Sequence, residues 1–431
     1  MRKKIVYLTL VGDYLNAGHL NILYSAKKLG DVYVGLFTDK AAIQYTALPH
    51  QKYEDRETLL KSIKYIKKVI IEDDLYSYKN LKDLKPDYVI HGDNWKKGFL
   101  SKVRKRIKKQ IKNWSGKLIE IKYTKNVPNS FHVKNYYKNF TTNEIRKNKL
   151  VRLLKIKNFL RFMEVHNPIG GIIIEHLNIE SNNKYLEFDG FWSSSLTDSA
   201  VRGMPDNQSV DYSTRINILH NIFSVTSKPL LFDADNGGQI EHLKYLIKNL
   251  EDAGVSAIVL EDKIGLKKNS LFINQDKVKQ DTVLNFSKKI KEINKWKSSK
   301  NFLIIARIES LILGKGVNDA LKRAIKYSKA GADLILVHNN TSNTKNLFKF
   351  SKLFKKSKFF KPLVAIPTSY SHVHEKELIK NNFKIVIYAN HLFRASYSSM
   401  KETANQILKD GRAFNADKDI LDIQKTIDLI K

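Results

Sequence analysis

The chain of 431 residues reads as an α/β protein in two parts, a small doubly wound sheet followed by a (β/α)8 barrel. Three observations predict this. Six apolar runs in the second half, KPLLFDADNGG, VSAIVLEDK, NFLIIARIES, ADLILVHNN, KPLVAIPTS and KIVIYANH, each end in a polar or charged residue. Continuous apolar runs mark strands buried on both faces, as in parallel sheets. Helical-looking segments separate them, the alternation that closes into a barrel. Residues 1–140 carry a separate, shorter α/β pattern.

In the first part the strand candidates are IVYLTLV, DVYVGLFTD, DYVIHGD and KLIEIKY, with helices between them. Ligands of such sheets bind beyond the strand C-termini. After the first strand, GDYLNAGHLNIL opens a helix at about Gly18, whose free N–H groups are a natural seat for phosphate. Ser101 to Trp114, SKVRKRIKKQIKNW, is a basic helix candidate with Val103, Ile107 and Ile111 facing inward. The polar stretch NYYKNFTTNEIRKNK lacks strand alternation and sets a boundary near 140–147, leaving 147–431 for the barrel. LVRLLKIKNFLRFME reads as a helix leading into it. At the other end, DKDILDIQKTIDLIK has apolar residues at helical spacing and predicts a helix packed on its own barrel or on a partner subunit.

Composition narrows the function classes. A hydrophobic fraction of 42% is ample for real cores. No apolar stretch approaches the roughly 20 residues that span a bilayer. The N-terminus enters a strand pattern at once, without the h-region of a signal peptide. With no cysteine, disulfides, thiolate zinc sites and cysteine nucleophiles are excluded. A cytoplasmic protein with no membrane partner is expected. The net charge of +33 raises a nucleic-acid-binding alternative. Lysine is spread along the chain, however, and the strand ends carry acids that would repel phosphodiesters. No nucleic-acid partner is therefore expected; a basic surface equally suits small anionic substrates.

The polar residues ending the barrel runs are Asp233 with Asp235, Glu261, Arg307 with Glu309, His338, Thr368, and Asn390 with His391. In such barrels chemistry sits at the C-terminal strand ends. Asp233 and Asp235, two apart in an extended segment, would project on the same side. Singly, an acid at a strand end is more often a cap or an ion-pair partner. Three converging carboxylates suit a hard cation such as Mg2+. Arg307 can clamp phosphate or carboxylate, and His338 beside Asn339 is a plausible phosphate contact.

The segments FDGFWSSSLTDSAVRGMPD, LLFDADNGG, LEDKIGLKKNSL, ARIES and LVHNN closely resemble the phosphoenolpyruvate mutases of the isocitrate lyase superfamily. EDKxxxxxNS, Glu261 to Ser270, is that family's mutase signature. The resemblance implies a (β/α)8 barrel with an exchanged C-terminal helix, and homodimers or homotetramers built through it. It places Asp233 nearest Mg2+, with Asp235 and Glu261 acting through water held by the ion. Trp192, Ser194 and Ser195 would line the pyruvyl pocket, and Asp206 would lie over the migrating group. Arg307 and His338 would hold the phosphoryl group, while Lys267, Asn269 and Ser270 belong to a gating loop that shuts out water. The family often has Ser-Gly where this chain has Ser194-Ser195. The expected substrates are phosphoenolpyruvate and phosphonopyruvate, interconverted by a mutase. A phosphonopyruvate hydrolase on the same barrel is the alternative, with Asn269-Ser270 favouring the mutase.

In the first part, NxGH (Asn16 to His19), GLFTDK, YEDR and HGDNW together resemble the cytidylyltransferases of the HxGH nucleotidyltransferase superfamily. The resemblance assigns His19 to the nucleotide triphosphate, Asn16 to the first-histidine position, and Lys40 to a phosphate. Arg56, with Asp93 and Trp95 in the loop after Gly92, would line the nucleotide or acceptor site. Two departures stand out. Asn16 can hydrogen-bond but carries no positive charge, and the late phosphate-binding element is Tyr123 to Ser130, with Asn126 and Pro128 where a glycine and a serine would stand. The fusion resembles bifunctional phosphonate-biosynthesis proteins, with CTP as the second site's co-substrate.

Overall fold

The computed structural model describes residues 2–45, 47–96, 100–122, 141–181, 184–272, 275 and 278–429. They fall into two compact units, 1–158 with 177–187, and 159–176 with 188–431. The Tyr123 to Ser130 element lies outside the described residues.

The first unit runs β1 (Ile5–Leu10), α1 (Ala17–Lys27), β2 (Asp31–Phe37), α2 (Asp39–Tyr45), α3 (Tyr53–Lys61), β3 (Ile66–Glu72), α4 (Tyr78–Leu84), β4 (Tyr88–Gly92), α5 (Leu100–Ile111), β5 (Lys117–Ile121) and α6 (Asn143–Ile156). The five strands before residue 158 form one sheet, ordered β3-β2-β1-β4-β5 and parallel throughout. Side chains alternate across a strand, so β1 serves two cores. Val6, Leu8 and Leu10 meet Leu23, Ala26 and Leu60 on one face, while Tyr7 meets Phe37, Ala41 and Ile107 on the other. Helix α5 buries Val103, Ile107 and Ile111, as the spacing predicts, and leaves its lysines in water. Strand β3 escaped the sequence reading, because Lys67 and Lys68 interrupt its apolar run.

The second part of the chain adds β6 (Leu160–Glu164), α7 (Pro168–His176), the antiparallel hairpin β7 (Asn178–Ser181) and β8 (Lys184–Glu187), β9 (Gly190–Ser193), α8 (Ser195–Ala200), α9 (Tyr212–Ser224), β10 (Leu230–Asp233), α10 (Ile240–Ala253), β11 (Ala257–Glu261), β12 (Lys263–Ile264), β13 (Lys279–Gln280), α11 (Val283–Trp296), β14 (Leu303–Ile308), α12 (Gly316–Ala330), β15 (Leu334–Val337), α13 (Lys345–Lys355), β16 (Leu363–Ala365), α14 (Glu375–Lys380), β17 (Phe383–Tyr388), α15 (His391–Asp410) and α16 (Ile423–Leu429). Eight strands close into a barrel in the order β10-β11-β14-β15-β16-β17-β6-β9. Strands β10, β11, β14, β15 and β16 are buried at every position, which is why they read as unbroken apolar runs.

One expectation is corrected. LVRLLKIKNFLRFME is not one helix. Helix α6 stops at Ile156, where Lys157 turns extended (φ −92°, ψ 141°). Leu160, Phe162 and Glu164 then bury alternately as the first barrel strand. Residues 143–147 form the first turns of α6, capped by Thr142 on the Ile145 amide, so the chain stays helical across the expected boundary. At the other end α15 and α16 bury no residue, and Tyr397, Met400, Leu408 and Ile423 stand exposed. Among the described residues no helix is long and apolar enough to cross a membrane.

Candidate active site

The C-terminal barrel mouth gathers Trp192, Ser194, Ser195, Asp206, Asp233, Lys267, Asn269, Ser270, Arg307 and His338 around one pocket, completed by Ile366, Thr368 and Asn390. Strand β9 delivers Trp192, and Ser194 leads into α8. Strand β10 ends on Asp233, whose Oδ2 accepts from Ser195 Oγ at 3.0 Å. Burial pushes this carboxyl up, but Lys267, Arg307 and Arg215 outweigh it and hold it below the ordinary range. Asp235 does not continue the strand. Its φ of +50° places it in the turn toward Gly237 and Gly238, so the two aspartates do not share one extended segment. It meets the Lys267 ammonium at 2.5 Å instead of lining the pocket, and burial with the nearby Asp233 raises its pKa.

Glu261, the last residue of β11, sits behind the pocket wall, 3.3 Å from Arg307 Nη2 and 3.4 Å from Lys263 Nζ. Its carboxyl is pushed up to about 7 by burial, against the pull of both cations. Among the described residues no three histidines or acids converge closely enough to hold a metal by themselves. The donor chemistry nevertheless fits a hard cation assisted by water and substrate oxygens. The acid pocket has drawn a cation of its own, since Lys267 Nζ lies 2.5 Å from Asp206 Oδ1 and from Asp235 Oδ1 and also donates to Ser195 Oγ. Where the family often has glycine, the Ser195 hydroxyl thus bridges Asp233 and Lys267.

Arg307 is fixed by Glu309, whose Oε1 accepts from Nε at 2.5 Å, and its Nη2 donates to His338 Nδ1 at 2.7 Å. Nδ1 faces Arg307 at 2.7 Å and Glu309 Oε1 at 3.3 Å; since a guanidinium has no acceptor, the shorter contact makes Nδ1 the bare nitrogen and leaves the proton on Nε2. Burial, then Arg307, lowers the His338 pKa and keeps the ring neutral. The pair therefore offers one fixed cation and one neutral donor. The segment from Lys267 to Ser270 lies over them: Asn269 Nδ2 donates to Asp206 Oδ2 at 2.6 Å, and Ser270 Oγ donates to Glu309 Oε2 at 2.8 Å.

Sequence reasoning missed several supports. Arg215 is fully enclosed, bonded to Asp198 at 2.8 Å and to the Asp233 carbonyl at 2.6 Å, and so holds the end of β10. The same Asp198 oxygen, Oδ2, also accepts from Ser193 Oγ at 2.8 Å. Lys263 and Glu309 stand within recognised motifs, EDK and ARIES, but what joins them, the Ser270 hydroxyl, lies 39 residues from Glu309.

In the first unit, Asn16 caps α1. Its Oδ1 accepts from the His19 amide and His19 Nδ1 accepts from the Asn16 amide, each at 3.2 Å. Burial lowers the His19 pKa. Lys40 is exposed on α2, and Asp93 begins a short 3-10 turn after β4. Arg56 and Trp95 go elsewhere. Arg56 is 0% exposed, donating to the carbonyls of Val11 and Phe37 and pairing with Asp39 at 2.9 Å. Trp95 is buried, stacked on His91 at 3.7 Å and donating to Glu120 at 2.7 Å. Both brace the sheet's C-terminal edge from inside rather than present a group to a ligand.

Residues 150–408 match the family model described as phosphoenolpyruvate phosphomutase, and residues 13–148 match a cytidylyltransferase-like model. A phosphoenolpyruvate phosphomutase of Tetrahymena pyriformis is 30% identical over 296 residues, covering 68% of this chain and 94% of that one. A phosphonopyruvate hydrolase of a Variovorax strain is 32% identical over 271 residues, covering 62% and 88%. Among solved structures, phosphoenolpyruvate phosphomutase from Streptomyces platensis subsp. rosaceus superposes with a TM-score of 0.60 at 30% identity, covering 66% of this chain and 94% of that one. A phosphonopyruvate hydrolase in complex with oxalate and Mg2+ gives 0.58 at 30% identity, with the same coverage. The barrel, its mouth and these likenesses agree: the chain belongs to the phosphoenolpyruvate mutase family and carries a cytidylyltransferase-like domain ahead of the barrel.

Proposed function

We propose that the barrel is a phosphoenolpyruvate mutase, interconverting phosphoenolpyruvate and 3-phosphonopyruvate in cytoplasmic phosphonate biosynthesis. The observation that carries this reading is the gating segment over the pocket, with Lys267 and Asn269 on Asp206 and Ser270 on Glu309. Moving a phosphoryl group between the enol oxygen and carbon 3 passes through a loose, metaphosphate-like transfer. Water reaching that species would give pyruvate and phosphate, so a closed roof is what separates a mutase from a hydrolase.

In this mechanism Trp192, Ser194 and Ser195 bind and orient the pyruvyl end. Arg307 and the Nε2–H of His338 hold the phosphoryl oxygens while the bond to one end breaks and the bond to the other forms. Asp206 lies over the migrating group and is kept in place by Lys267 and Asn269. Mg2+ would be held by Asp233, with Asp235 and Glu261 reaching it through water, and would supply the positive charge that a developing enolate needs.

The hydrolase remains the second reading, since a relative of that name is as similar to this chain as the mutases are. For the N-terminal domain we propose a cytidylyltransferase that joins CMP from CTP to a phosphonate. His19 in the first turn of α1 would meet the triphosphate, with Asn16 setting its position and Lys40 meeting a phosphate. A homodimer or homotetramer built by exchange of the C-terminal helix would cover α15, none of whose residues is fully buried in its own chain, and the exposed Ile169 and Ile173 of α7.

Phosphorus NMR of the full-length protein with phosphonopyruvate, Mg2+ and CTP tests both sites. Phosphoenolpyruvate should appear; free phosphate without it would sink the mutase reading. Pyrophosphate should form from CTP once a two-carbon phosphonate is added. Its absence with every such acceptor would leave the N-terminal domain without the proposed activity.

A further inference from the structure

We propose that Lys263 and Glu309 are positioning residues that latch the gating loop shut from beneath; as a statement about product outcome, this rests on the mutase reading. The Ser270 hydroxyl is the centre of the latch. A serine hydroxyl has one proton and two lone pairs. Here Lys263 Nζ donates to it at 2.7 Å, Arg307 Nη2 donates at 3.0 Å, and it donates to Glu309 Oε2 at 2.8 Å. Its capacity is filled by protein. In the closed loop Ser270 therefore fastens rather than binds substrate.

Lys263 sits at the root of the loop, in β12, where its backbone is paired with Gln280 of β13. It is 4% exposed. Its ammonium crosses under the loop to the Lys268 carbonyl at 2.8 Å as well as to Ser270, gripping the chain on both sides of Asn269. That grip sets the position from which the Asn269 amide reaches Asp206. Below, the same ammonium lies 3.4 Å from Glu261 and 3.9 Å from Glu309. Glu309 is fully enclosed and divides its two oxygens, one to Arg307 Nε and one to Ser270. Seating the loop and aiming the phosphoryl-holding guanidinium are thus one event. The chemistry faces inward through Lys267 and Asn269, and the fastening faces down through Lys263, Ser270 and Glu309.

A loosened latch admits water. In hydrolysis the C–P bond of phosphonopyruvate breaks, a P–O bond to water forms, and carbon 3 takes a proton from that water, giving pyruvate and phosphate with no further reactant. The test uses full-length Lys263→Met, and Ser270→Ala as a second variant that keeps every buried charge in place. Two quantities are measured: tryptic cleavage after Lys267 and Lys268, followed by mass spectrometry, and the ratio of phosphate to phosphoenolpyruvate formed from phosphonopyruvate and Mg2+. Losing a charge-assisted bond from the closed state should raise cleavage about tenfold in Lys263→Met, less in Ser270→Ala, and shift the ratio toward phosphate in both. Folded variants with wild-type cleavage and wild-type product ratio would overturn the latch. If Lys263→Met does not fold, Ser270→Ala decides. If the wild-type protein yields no phosphoenolpyruvate, the mutase reading fails, and the cleavage comparison still decides the latch.

Discussion

The Lys267 ammonium lies 2.5 Å from Asp206 Oδ1, a contact between residues 61 apart in the chain that draws the loop carrying Lys267 onto the barrel mouth. Asp206 takes a second bond from Asn269, so both carboxylate oxygens are committed to the roof. Replacing Asp206 with alanine should abolish isomerisation, by about a hundredfold or more in kcat, as for loss of a group acting at the transition state. The melting temperature should change little, because the two bonds that Asp206 makes here tie down only a loop over the pocket. Phosphorus NMR and calorimetry check the two halves; retained turnover would refute the role.

Glu261 gives a pH prediction. Its carboxyl is raised from 4.5 to about 7, so the folded state binds its proton more tightly than the unfolded chain does. Stability from this group is fully present below pH 4.5 and is lost as pH rises through about 7. Relative to Glu261→Gln in metal-free buffer, the wild-type protein should lose ground across that window and then run parallel above it. Thermal melts from pH 4.5 to 8.5 would show this, and a constant difference throughout would refute it.

Arg56 should matter for stability. Replacing it with methionine leaves the Val11 and Phe37 carbonyls without their donor and Asp39 without one of its cations, Arg152 remaining at 2.8 Å. Breaking a buried pair of this kind costs about 3 kcal/mol. Amide exchange in β1 and β2 should accelerate while the barrel strands keep their protection.

The exposed side of α15 carries the assembly prediction. Leu408 is 82% exposed, and Leu408→Glu should turn the proposed oligomer into monomers without altering the barrel's secondary structure. Sedimentation velocity against circular dichroism separates the outcomes; an unchanged mass would remove α15 from the interface.

Much of the fold was legible because five of the six barrel runs form strands buried at every position and so read as near-continuous apolar stretches. The strands that escaped lack an apolar run that stands apart in the sequence. Leu160–Glu164 follows a helix closely enough to look like its continuation, and Gly190–Ser193 offers only Phe191 and Trp192 as adjacent apolar residues. At the site, the strand-end residues could be named from position alone. Asp235 could not be placed, since its left-handed turn is a tertiary outcome of the Gly237-Gly238 bend. Arg56 and Trp95 matched motif positions, yet their burial depends on partners up to 45 residues away. Lys263 and Glu309 lacked any signal for their roles, because a hydroxyl with all its capacity filled is visible only in three dimensions.

The lysines that hid β3 have a consequence for solubility. Among the described residues β3 is the outer strand of its sheet, hydrogen-bonded to β2 alone, and Lys67 and Lys68 stand exposed along it beside an exposed Ile71. An open edge of this kind is a template for pairing with another chain, and charge on it is a common defence. The two ammonium groups make approach of an identical edge repulsive, which opposes edge-to-edge pairing between copies of the chain.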